Sequence, residues 1–99
     1  MNITRQYDVV VIGSGAAGST VALALAGHAK IAVISKAGLA EGSTRYAQGG
    51  IAAVLDATDS VESHWHDTRR AGAGRCDEDA VRFTVENSRN AIDWLVDQG

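Results

Sequence analysis

The stretch from Asp8 to Gly18, DVVVIGSGAAG, constrains the fold of this chain more than any other. Val9, Val10, Val11 and Ile12 form a short, mostly β-branched run between polar Tyr7-Asp8 and a glycine, the pattern of a strand buried on both faces in a parallel sheet. Gly13-Ser14-Gly15-Ala16-Ala17-Gly18 follows at once, and its spacing has a mechanical reading. Gly13 permits a tight turn out of the strand, Gly15 lets backbone approach a pyrophosphate, and Gly18 lets the next helix lie close to the sheet. The free N–H groups and the dipole at the start of that helix favour bound phosphate. The helix is expected over Ala16 to Ala26, apolar on nearly every face, with Gly27 as its C-terminal cap. The plain alternative is a glycine turn with no ligand, since a lone GxGxxG arises by chance; the strand before it and the helix after it favour dinucleotide binding.

With 99 residues the chain is at most one small domain. A doubly wound dinucleotide fold needs several parallel strands. Only two good ones are offered, near Tyr7 to Ile12 and Ala29 to Ser35, with a doubtful third at Ile51 to Leu55. The expectation is therefore an α/β chain that forms the N-terminal, incomplete part of a Rossmann-like domain. A formal net charge of −3 and scattered Lys and Arg argue against a nucleic-acid surface, and Arg69-Arg70 reads as a solvated helix face. One cysteine, Cys76, leaves no disulfide framework and no multi-cysteine metal site. No apolar run approaches the length of a membrane span or a signal sequence, so a cytoplasmic protein is expected.

Along the chain, Lys30 to Lys36 reads as the second strand, joined to the first helix by a short connection. Dinucleotide sites usually set an acidic residue near the end of this strand to hold ribose hydroxyls. Ser35-Lys36 stands there instead, so ordinary NAD recognition is disfavoured, while the hydroxyl can still meet the ribose and the ammonium suits phosphate or the adenosine edge. Residues 37–50, AGLAEGSTRYAQGG, are too irregular for a secondary-structure element and too long for an idle turn. Gly42, Gly49 and Gly50 allow close approach to a flat ligand, and Ser43, Thr44 and Gln48 supply neutral hydrogen-bonding groups; a flexible surface loop is the plain alternative. Ile51 to Leu55 reads as a short strand or a loop tucked against the core. Asp59 with Glu62 has capping-box character, which predicts a helix from near Ser60 to about Ala71, stopped by Gly72 and Gly74. His64 and His66, two apart, fall on nearly opposite faces of that helix and cannot share a metal; Ser63, His64 and Asp67 are helical neighbours and make no catalytic triad. Asp77 reads as the N-cap of a last helix, with Glu78 and Asp79 in its first turn and Val81, Val85, Ser88, Ile92 and Leu95, extended by Trp94, along one packing face.

The series DVVVIGSGAAG, VISK, EGSTRYAQGGIAAV and DSVESHWHDTRRAGAG with CDEDAV resembles the N-terminal part of the succinate dehydrogenase and fumarate reductase flavoprotein family, and within it the branch that oxidises L-aspartate. The resemblance covers essentially the whole chain. It implies a Rossmann-like FAD-binding domain made here of a β-α-β unit, a flavin loop and two following helices, with the substrate-capping and C-terminal helical domains lying elsewhere. It implies that Ser14, Gly15, Ala16 and Ala17, between Gly13 and Gly18, hold the FAD pyrophosphate and that Ser35 and Lys36 meet the adenosine side. Ser43, Thr44, Arg45, Tyr46, Ala47, Gln48, Gly49 and Gly50 would pass beside the flavin ring. The respiratory members carry a flavin-linking histidine upstream of their AAQGG segment; the matching position is Ser43, so FAD is expected to be held non-covalently.

By the same resemblance, L-aspartate is oxidised to iminoaspartate, electrons pass through FAD to oxygen or fumarate, and the product feeds quinolinate formation, a functional link to quinolinate synthase. Substrate-binding and catalytic groups of that family lie later in its chains, so none of these residues is expected to be a catalytic acid or base. The alternatives are a soluble fumarate reductase-like flavoprotein and a non-catalytic piece that at most binds nucleotide.

Overall fold

A computed structural model describes residues 1–99, which divide into two units, Met1–Gly49 and Gly50–Gly99. The first unit holds β1 (Val9–Ile12), α1 (Ala16–Leu25), β2 (Ile31–Ile34) and the one-turn helix α2 (Ser43–Tyr46). The second holds α3 (Val61–Gly72) and α4 (Glu78–Gln98). No helix is long and apolar enough to cross a membrane.

In the first unit β1 and β2 pair in parallel, with Val9 opposite Ile31 and Ile12 opposite Ile34. Parallel neighbours need a crossover, and α1 supplies it. Backbone bonds extend the ladder at both ends: the Asp8 N–H donates to the Lys30 carbonyl (2.9 Å) and the Gly13 N–H to the Ile34 carbonyl (2.8 Å). The Asp8 carboxylate also accepts from the Lys30 N–H (2.7 Å), which fixes the register where the strands begin. The expected burial of the first strand on both faces does not hold within this unit. Val11 is buried, but Ile12 is 85% exposed and Val10 about half exposed, because one helix on a two-stranded sheet covers one face only. For the same reason α1 has no buried residue.

Two of the three turn glycines are required by the chain itself. Gly13 has φ +106°, a left-handed conformation that side chains other than glycine rarely adopt. A Cβ on Gly18 would overlap the Gly13 carbonyl oxygen and stand 3.2 Å from Val11 Cγ1, so the missing side chain lets α1 approach β1. Gly27 is not the left-handed cap expected of it. Helix α1 ends at Ala26 in right-handed conformation, and the Leu25 carbonyl accepts from both His28 and Ala29 N–H (2.9 and 3.0 Å), which closes the turn without a positive φ.

In the second unit Ile51–Leu55 is neither strand nor helix. It has no partner strand; its Leu55 carbonyl instead accepts from the Arg89 guanidinium (3.1 Å) on α4. The predicted cap of α3 is shifted by one residue. Ser60 Oγ accepts from the Ser63 N–H (3.0 Å), while Asp59 accepts from the Ser60 N–H (2.7 Å). Glu62 is thereby free to take a two-pronged bond from Arg82 (2.8 and 3.2 Å), which holds its carboxyl below the usual carboxylate range. Asp77 caps α4 as read from the sequence, accepting from the Ala80 N–H (2.9 Å), and Val85 is the buried centre of its packing face, with Leu95 left exposed.

Arg69 is not simply a solvated residue. Its guanidinium lies 4.4 Å from the centre of the Trp65 ring, the Arg82 guanidinium lies 4.3 Å from the same centre, and Arg69 also pairs with Glu78. Cations over an indole face are attracted by its quadrupole, and the carboxylates keep both arginines in place. Helix α3 stops where Ala73 turns left-handed (φ 50°) and Gly74 follows with φ 81°. Cys76 folds back over that turn, its thiol donating to the Thr68 carbonyl (3.8 Å), and a Cβ on Gly72 would overlap its sulfur.

Gly72→Ala should therefore destabilise the protein by about 1–3 kcal/mol through overpacking, and Cys76→Ala in the same molecule should recover most of that loss. Thermal or urea unfolding of the two single variants and the double variant measures the coupling.

Candidate functional site

Three local events bring the site residues of the first unit together. Strand β1 ends at Gly13, the chain turns through Ser14 and Gly15, and α1 begins with Gly15 as a cap that has no side chain. Strand β2 ends on the same rung, at Ile34 opposite Ile12, and Ser35 and Lys36 follow it. The third contribution is α2, which the sequence reading took for irregular loop. Its single turn presents Thr44 to α1, and the Ala16 N–H donates to Thr44 Oγ1 (3.1 Å). The first N–H groups of a helix have no intrahelical acceptor, so this hydroxyl satisfies one of them from outside.

The carboxyl ends of β1 and β2, the glycine turn and α2 enclose an open cleft of about 530 Å³. Of the predicted contacts it is lined by Gly13, Ser14, Gly15, Ser35, Lys36, Ser43 and Thr44. Ser14 Oγ donates to Ser35 Oγ (3.3 Å) across the two strand ends. Arg45 lines a second, smaller cleft with Ser14, Gly15 and Thr44. The others are not among the lining residues of the main cleft. Ala16 is committed to Thr44, Ala17 and Gly18 lie inside α1 with Gly18 against β1, and Ala47, Gln48 and Gly49 follow α2 in exposed, non-helical chain. Gly50 begins the second unit. Tyr46 turns back to donate its hydroxyl to Glu41 Oε1 (2.7 Å), and that carboxylate raises the pKa of the phenol by taking its proton as a hydrogen bond.

Gly42, read from the sequence as a place of close backbone approach, also lines the main cleft, and so does Glu41, which was not among the predicted contacts. The signal for Glu41 was present in the missing acid at the end of β2, which makes the next carboxylate along the chain worth placing. The second unit has its own histidines, neither of them in a metal cluster. His64 is half-buried between α3 and α4, and His66 is exposed with its ring edge on Trp65.

Gly15 separates a ligand requirement from a folding one. Its φ of −72° and ψ of −176° suit any residue, and a Cβ there would meet only Thr44 Oγ1, at an ordinary 3.5 Å. Nothing in the chain needs a glycine at this point, whereas a ligand laid on the α1 N-terminus would. The cleft, the donor-rich helix start and the Lys36 ammonium beside it suit a dinucleotide diphosphate.

A parallel β-α-β unit with a glycine turn between strand and helix defines an α/β nucleotide-binding class of protein. Residues 8–99 match the family described as FAD binding domain; the chain belongs to that family, and FAD is its cofactor. It is 66% identical to the L-aspartate oxidase of Pseudomonas aeruginosa over 94 residues, covering 95% of this chain and 18% of that protein. It is 60% identical to the L-aspartate oxidase of Yersinia pestis, covering 93% and 17% respectively. With the chloroplastic L-aspartate oxidase 2-b of Nicotiana tabacum the identity is 49%, covering 99% and 15%. The chain thus spans less than a fifth of the length of these relatives.

Thr44→Val should release the Ala16 amide. Its hydrogen exchange is expected to accelerate about twofold to tenfold, the worth of one ordinary hydrogen bond, and Thr44→Ser should restore protection. Unchanged exchange at Ala16 would show that the bond contributes nothing.

Proposed function

We propose that this chain forms the start of a Rossmann-like FAD-binding domain in a flavoenzyme that oxidises L-aspartate to iminoaspartate. The reading is supported by the high identity to L-aspartate oxidases across nearly the whole chain, joined to Gly15, a glycine that the fold leaves unexplained and a diphosphate would require. In it, the turn from Ser14 to Ala17 holds the FAD diphosphate, with the Ala16 amide engaged by Thr44 and the neighbouring amides left to donate, and Ser35 and Lys36 meet the adenosine half. Residues 43–50 run beside the flavin. Ser43, a hydroxyl with no nucleophilic imidazole, leaves the cofactor non-covalently bound. Thr44 accepts from the Ala16 N–H, so its own hydroxyl proton is free to be given to a phosphate oxygen.

When bound, FAD supplies the hydride acceptor, and the protein supplies binding and orientation. This chain's share of the work is to hold the diphosphate by main-chain donors and to keep the cofactor in register with the rest of the enzyme. The dicarboxylate-binding groups and the capping and helical domains lie elsewhere in the protein. Electrons would leave to oxygen or fumarate, and iminoaspartate would be used in quinolinate formation, consistent with a cytoplasmic role.

The intact protein should purify yellow, release its flavin into the supernatant on acid precipitation, and form peroxide in air when L-aspartate is added. Gly15→Ala should empty the flavin site while its unfolding temperature stays close to that of the wild type stripped of flavin. A variant that kept both stability and full flavin content would contradict the assignment, as would flavin that stayed with the acid-precipitated protein.

A further inference from the structure

The β2 end lacks the carboxylate that usually accepts hydrogen bonds from an adenosine ribose, and its remaining hydroxyl is already engaged. Ser35 Oγ accepts from Ser14 Oγ (3.3 Å) and from the Ala37 N–H (3.4 Å). Lys36 can only donate. A ribose presents two hydroxyl protons, so a cleft built from these groups alone would leave it without a strong acceptor.

We propose that Glu41, reaching the cleft from the loop before α2, is the ribose acceptor of this FAD site; the inference rests on the FAD reading above. Glu41 is the one acidic side chain that lines the cleft shared by the glycine turn, Ser35 and Lys36. It is held at both ends. Its backbone N–H donates to the Gly38 carbonyl (2.8 Å), and its Oε1 accepts from the Tyr46 hydroxyl (2.7 Å). Oε2 makes no hydrogen bond within the chain and stays available. A carboxylate would be repelled by a diphosphate on the same cleft, but it binds a neutral diol well, which matches it to the sugar and not to the phosphates. Tyr46 then acts as a positioning residue, orienting the carboxylate through Oε1 without touching the ribose.

The test uses the intact protein stripped of flavin and reloaded either with FAD or with the FAD analogue whose adenosine carries 2′,3′-dideoxyribose. The wild type should bind FAD about ten- to a hundredfold more tightly than the analogue, as expected for a hydrogen bond to a charged acceptor. Glu41→Ala should bind both equally, at the affinity the wild type shows for the analogue, while its flavin spectrum at saturation stays unchanged. Tyr46→Phe should weaken the preference without abolishing it. If the wild type takes up FAD but does not distinguish it from the analogue, the inference fails whatever the variants do. If Glu41→Ala keeps the full preference, or Tyr46→Phe and Glu41→Ala are alike in weakening both ligands equally, Glu41 is only a strap on the loop and the inference also fails. A wild type that takes up neither ligand would instead overturn the FAD reading itself.

Discussion

The arrangement of the first unit depends on one close approach, that of α1 to the end of β1 at Gly18. The carbonyl oxygen of Gly13 occupies the space where any other residue at position 18 would carry its Cβ, and Val11 Cγ1 closes the remaining gap. Because the helix is seated there, its N-terminus opens directly over the carboxyl ends of both strands. The positive φ of Gly13 and the bond from its N–H to the Ile34 carbonyl then direct the turn across the sheet edge. The three glycines thus differ: conformation requires Gly13 and packing requires Gly18, while neither requires Gly15.

The second unit is held by different means. Only Val85 is buried in it, and α3 and α4 are joined at a Trp65 ring approached by two guanidiniums, each anchored by a glutamate on the opposite helix. These pairs are open to water and therefore sensitive to salt. Apolar side chains stay exposed in both units, among them Ile12 and Ile34 on the sheet and Phe83 and Val96 on α4. Surfaces of this kind are common where further chain or a partner packs, and the relatives of this chain are several times its length.

Much of the backbone plan was legible in the residues. The β-branched run, the alanine-rich helix and the second apolar run define β1, α1 and β2 through period and propensity, and Asp77 with the face centred on Val85 defines α4. What escaped was decided by tertiary hydrogen bonds. Ile51–Leu55 has the composition of a strand but no partner, and an arginine from α4 claims its last carbonyl. Ser60 and Asp59 are both good caps, and only the geometry selects Ser60. The one turn of α2 is too short for any periodicity to show, yet it carries Thr44 to α1. In the site, the glycines and the strand-end residues could be named from spacing alone. Glu41 could not, because its place in the cleft is set by a loop whose path depends on Tyr46 and Gly38.

The most direct measurement of this account is the FAD affinity of Gly18→Ala in the intact protein, under conditions where circular dichroism shows the variant folded. Position 18 is covered by β1 and removes no donor, so the substitution can act on the cofactor only by lifting α1 from the strand. The account predicts that the dissociation constant rises at least about tenfold, with the Ala16 amide losing its protection by Thr44. An affinity within a factor of about two of the wild type would mean that the seat of α1 does not set the cofactor site.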